Sequence, residues 1–147
     1  MTAIKAVAID KTADSIQLKS VIMKILKKVG AILALIIGLM SVMAGSKVLL
    51  GIDTKDYNIL TWLVYYNVIF GVISVVVAYF IWNNKVIAKS LILFVIAMHF
   101  LVFMYLKFVS NTVAAESIKA MLFRTSIWVL IVILSILIPK YLSKQQK

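Results

Sequence analysis

Residues 59–82 read ILTWLVYYNVIFGVISVVVAYFIW, twenty-four residues without a single charge. A helix needs about 20 mostly apolar residues to cross a hydrocarbon core about 30 Å thick. The run is long enough, and it does not alternate apolar and polar residues as a barrel strand does. Backbone groups in hydrocarbon must be paired within the protein, so the run is predicted to be a membrane-spanning helix. Three further runs of this kind flank it. Val29 to Leu50 has no charge until Lys47, Val86 to Phe108 has charges only near its ends, and Met121 to Pro139 has Arg124 one turn inside. Four spans in 147 residues, with 64% apolar and 14% charged residues, exclude a soluble enzyme domain. The expected fold is all-α: one transmembrane domain over residues 1–147, an up-down four-helix bundle with an N-terminal amphipathic interfacial helix.

Lysine and arginine set orientation, because they are retained on the cytoplasmic side. Eleven lysines fall on one side: Lys5, Lys11, Lys19, Lys24, Lys27 and Lys28 before the first span, Lys85 and Lys89 between the second and third, and Lys140, Lys144 and Lys147 after the fourth. Only Lys47, Lys55, Lys107, Lys119 and Arg124 fall on the other. Both termini are therefore expected to be cytoplasmic, in a cytoplasmic (inner) membrane. Tyr57, Trp62, Tyr65, Tyr66 and Tyr105 near the outer interface, and Tyr79, Trp82 and Tyr141 near the inner one, follow the usual aromatic belts. The net charge of +11 is read as topology and contact with anionic lipid; the basic residues flank spans, so nucleic acid is not an expected partner. Val42-Met43-Ala44 resembles a signal-peptide cleavage site, but the basic segment before that run is about 28 residues, long for a signal peptide. The run is read as a retained first span.

Residues 15–28, SIQLKSVIMKILKK, place Leu18, Val21, Ile22, Ile25 and Leu26 on one side and Ser20, Lys24, Lys27 and Lys28 mostly on the other. Such a basic amphipathic helix suits the inner head-group layer, where it anchors the first span or docks a partner. Residues 1–14 are mixed and expected to be loosely ordered. Ser110 or Asn111 is a candidate cap for a helix extending above the membrane. The link Asn83-Asn84-Lys85 is tight and makes the second and third spans a hairpin.

Small residues let membrane helices approach closely. Gly30, Ala34, Gly38, Ser41 and Gly45 form a stripe on the first span; Asn67, Gly71, Ser74 and Ala78 form one on the second. These faces are expected to meet each other or the bundle centre, leaving the third and fourth spans more open to lipid.

Polar groups within a membrane are functional candidates. Six stand out: His99 near mid-span, Asn67 in the outer half, Tyr66 near the outer surface, and Lys47, Glu116 and Arg124 at the outer ends. Together they point to a ligand-binding pocket open to the outer side. His99 is read as hydrogen-bonded to a Ser or Asn across a helix contact, as a quinone or lipid contact, as a proton relay or as a haem ligand. Arg124 is read as reaching to the surface or as an anion contact, paired with Glu116. No cysteine is present, which excludes disulfides and thiolate metal sites, and a single histidine excludes a His cluster within one chain. No catalytic set is expected and no cofactor is named by these residues.

Ala44-Gly45-Ser46-Lys47, followed by Leu49 to Gly51, is similar to the A-G-x-K-L-x-G ending of the first helix in DoxX-like membrane proteins. The resemblance implies a small four-span bundle associated with membrane redox chemistry, with quinone or lipid held by His99, Asn67, Tyr66 and Arg124. The acidic residue often present in that family's second helix has no counterpart; Asn67 stands nearest. Three functional expectations result: a non-catalytic accessory subunit of a larger membrane complex, a DoxX-like quinone- or lipid-binding bundle, and a small oligomeric transporter or channel. Membrane lipids and other membrane chains, or further copies of this one, are the expected partners.

Overall fold

The computed structural model describes residues 2–53, 59–110 and 113–144, with side chains from Ala13 onward. The side chains of Lys5 and Lys11, and residues Lys55, Tyr57, Asn111 and Lys147, used in the sequence reading, lie outside what is described. The chain forms α1 (Thr2–Leu49), α2 (Thr61–Trp82), α3 (Ala88–Phe108), α4 (Ala115–Val132), a π-helical turn (Ile133–Leu137) and α5 (Ile138–Lys144). Four of these helical segments are long and apolar enough to cross a membrane. This is an all-α, membrane-spanning four-helix bundle. Each helix packs on its chain neighbours, and α1 closes the ring against α4.

Two elements differ from the sequence reading. The amphipathic segment and the first span are one unbroken helix of 48 residues, about 72 Å at 1.5 Å per residue. Nothing between Lys28 and Ala31 breaks it: Gly30 weakens a helix by only about 1 kcal/mol and carries no ring to disrupt it. The helix runs from Thr2, so residues 2–14 are helical too. The fourth span is also longer than expected. It starts at Ala115, with Ala114 as an extended cap that makes no side-chain bond, so Ser110 does not cap it. It does not stop at Pro139. A helical proline lacks an N–H and crowds the carbonyl four residues back, here Ser135. The chain widens into a π turn instead, with Ile138 N–H donating to the Ile133 carbonyl, and continues to Lys144.

The α1–α2 seam is made by the two stripes. A Cβ on Gly38 would lie 2.8 Å from the Gly71 carbonyl oxygen and 3.0 Å from Ser74 Cβ; one on Gly71 would lie 2.9 Å from the Gly38 carbonyl oxygen. The two backbones touch, so neither position has room for a side chain. Gly45 continues the seam against Val68, whereas Gly30 leaves it and faces Ser135 and Ile131 across to the fourth span. Ala31, Ala34, Val77, Ala78, Ile92, Val95, Trp128 and Ile131 fill one core cluster; Leu63, Phe103, Leu106 and Met121 fill a second. α3 and α4 are the less buried spans, as their large side chains predict.

Two helix ends are closed in the same way. Gly51, at φ +69°, follows α1; its N–H donates to Val48 and that of Ile52 to Lys47. Asn84, at φ +52°, follows α2; its N–H donates to Ile81 and that of Lys85 to Phe80. Both are Schellman ends, in which a left-handed residue turns the chain and satisfies the last carbonyls. The second makes the predicted α2–α3 hairpin. Lys27, Lys85, Lys89 and Lys140 thereby gather at one end, called here the basic end.

Candidate functional site

At the opposite end a cavity of about 240 Å³ opens between α1, α2 and α4. Arg124, Asn67 and Glu116 line it, joined by Asp53, Ser117 and the apolar wall Leu63, Val64 and Met121. Arg124 sits three residues after Met121, which is 1% exposed, so its stem starts among buried groups. It does not extend along the outside of the helix. Its Nε donates to Ser41 Oγ on α1 at 3.1 Å, and Ser41 is itself buried. An arginine presents five N–H donors, so this one bond holds the plane while leaving others for a ligand.

Asn67 comes from α2, one turn before Gly71. Its Oδ1 is buried and has no hydrogen-bond partner among the described residues. A buried acceptor without a donor is unfavourable by about 1–3 kcal/mol. It therefore marks a place where a donor from a ligand would be stabilised. Glu116 is exposed at the mouth. It lies eight residues before Arg124 on α4, about 12 Å along the axis. Both residues line one cavity, as their spacing predicts, but they form no ion pair with each other. Asp53 follows the Gly51 turn and adds a second carboxylate to the lining.

Tyr66 and His99 form a different cluster. Tyr66 Oη and His99 Nδ1 are 3.2 Å apart, and His99 Nδ1 is 3.0 Å from the Val95 carbonyl oxygen. A carbonyl only accepts, so the network assigns the proton to Nδ1, with the Tyr66 oxygen as second acceptor. The partners of His99 are thus a tyrosine and its own helix, in place of the expected Ser or Asn. Phe70 stacks on Tyr66 at 4.3 Å between centroids, and Trp128 lies 6.1 Å from the imidazole. His99 is only 3% exposed, and neither it nor Tyr66 lines the cavity. Lys47 stands apart: its side chain is exposed, and its backbone carbonyl closes the end of α1.

The structure thus brings Arg124, Asn67 and Glu116 together, pairs Tyr66 with His99 beside them, and leaves Lys47 outside. Ser41 and Asp53 were missing from the predicted set. Ser41 had the right depth and a place on the small-residue stripe, which was the signal available. Among the described residues, no three His, Cys, Asp or Glu side chains are placed to hold a metal ion. No family model, curated protein or solved structure matches this chain.

Proposed function

We propose that this membrane-spanning bundle is a non-catalytic lipid-binding protein whose cavity holds a phospholipid head group bearing both a phosphate and a primary ammonium. The observation that carries this reading is the pairing, in one cavity, of a half-buried arginine fixed by Ser41 with the unpartnered Asn67 acceptor. The guanidinium suits a phosphate, which it engages through parallel N–H donors. The Asn67 oxygen suits an N–H donor such as an ammonium, and Glu116 and Asp53 add negative charge to the same lining. The walls are apolar, as an amphiphile requires. A small bundle that holds lipid in this way fits a subunit of a larger membrane assembly, because the cavity supplies binding and no reacting group.

The test uses the purified full chain in detergent, titrated with phosphatidylethanolamine and with phosphatidylcholine while thermal unfolding is followed. Phosphatidylethanolamine is expected to stabilise the protein more, since a quaternary ammonium has no N–H for Asn67. Arg124→Gln is expected to weaken binding about tenfold or more, the loss of one charge-assisted hydrogen bond. Equal binding of both lipids, with Arg124→Gln unchanged, contradicts the reading. Recovery of the chain from its own membrane with another polypeptide would support the subunit role.

A further inference from the structure

We infer a second lipid site, selective for anionic phospholipid, at the basic end. A cavity of about 440 Å³ lies there between α1, the α2–α3 turn and the π turn. Lys27, Lys85, Lys89 and Lys140 line it, and no carboxylate does. These lysines come from three separate parts of the chain. The nearest acid before Lys27 with a described side chain is Asp14, thirteen residues away and about 20 Å along α1. Four like charges around one opening repel each other, and an anion between them removes that repulsion.

The walls make the ligand a lipid. Ile92, Ile136 and Val86 line the same cavity, and Val86 is 95% exposed. A free phosphate gains nothing from that surface, whereas a phosphodiester carrying acyl chains covers it. The backbone departs from regular α-helix on both sides of the cavity. Left-handed Asn84 lines it on one side and the π turn on the other, through Ser135, Ile136 and Pro139. Single π turns in long helices recur at functional sites. Ser135 lines the cavity, and its Oγ, which lies against Gly30 of α1, is buried without a hydrogen-bond partner among the described residues. Beside the cavity, Lys28 Nζ lies 5.2 Å from the centre of the Trp82 ring, which adds charge at the level where an interfacial ring sits. Basic pockets between spanning helices are suited to anionic head groups.

The experiment is titration of the full chain in detergent with phosphatidylglycerol, phosphatidylcholine and glycerol 3-phosphate, read by native mass spectrometry and thermal unfolding. Phosphatidylglycerol is expected to bind and stabilise; phosphatidylcholine is not. Lys85→Gln/Lys140→Gln is expected to weaken phosphatidylglycerol binding roughly thirtyfold, at about a fivefold loss per lysine near the surface. Lys19→Gln/Lys24→Gln, on the preceding turns of α1 and outside the cavity lining, should change it less than about threefold, because exposed charges outside a site act only through screening solvent. Equal losses in the two double variants would mean diffuse surface charge and overturn the site. Displacement of the lipid by glycerol 3-phosphate would assign the cavity to a soluble phosphate and overturn the lipid assignment. Should the first double variant fail to fold, Lys89→Gln alone must still weaken binding, and no effect there overturns the site.

Discussion

The two ends of the bundle hold different patterns of charge, one mixed and one uniformly positive. At one end a single arginine faces Asn67, with Glu116 and Asp53 on the same lining. At the other, four lysines face each other with no acid. The mixed set suits a head group with both signs of charge, and the uniform set suits an anion. Between them runs the Gly38–Gly71 contact, where two backbones touch. The difference shows how one small bundle can keep two sites apart: at Gly38 and Gly71 the seam is too close to admit a ligand, and the cavities lie at the two ends beyond that contact.

Breaking the seam should have the largest effect. Gly38→Leu places a side chain against the Gly71 carbonyl, which cannot move aside as a side chain can. A loss of about 3 kcal/mol or more is expected, at the upper end of overpacking, together with weaker lipid binding at both ends; thermal unfolding in detergent measures it. Gly45→Ala clashes with a methyl of Val68, a side chain that can shift, and meets the Val64 carbonyl oxygen only at an ordinary 3.5 Å, so it should be milder, about 1 kcal/mol. Equal effects would remove backbone contact as the reason for the seam. Next comes Arg124→Gln, with its tenfold loss confined to the mixed-charge end. Smaller still is Asn67→Leu: unliganded stability should hold or rise by about 1 kcal/mol, because a buried acceptor without a partner is removed, while phosphatidylethanolamine affinity falls. A clear loss of unliganded stability would show that Asn67 is satisfied in the empty protein. The smallest change is expected from His99→Leu. Its bonds run to Tyr66 and to its own helix, so about 1 kcal/mol or less is at stake, and both lipids should still bind. Loss of either lipid would bring the Tyr66–His99 pair into the binding machinery.

Much of this arrangement was legible from residue spacing and depth. The two small-residue stripes identified the α1–α2 seam, because only small residues permit close helix approach. Arg124, Asn67 and Glu116 could be brought together because topology sets each to the same end. What depended on partners across helices was not legible. Ser41 was one of several small residues on its stripe, and nothing in the chain marked it as the acceptor for Arg124. His99 had no visible partner because Tyr66 reaches it only through the rotation of α2 against α3. Gly30 departs from its stripe to meet Ser135, a contact that depends on the π turn before Pro139. That turn was hidden because proline reads as a stop in sequence, yet the helix absorbs it by widening. The amphipathic segment looked separate because its charges change the pattern at Lys28, although nothing there interrupts the backbone.

The most direct test exchanges the two ends. The full chain is placed in bilayer discs of equal phosphatidylethanolamine and phosphatidylglycerol, and the lipids retained on release are weighed by native mass spectrometry. Arg124→Gln is predicted to lose phosphatidylethanolamine and keep phosphatidylglycerol, and Lys85→Gln/Lys140→Gln to do the reverse. If both variants retain the same lipids as the unaltered chain, the account of two charge-selective cavities is contradicted.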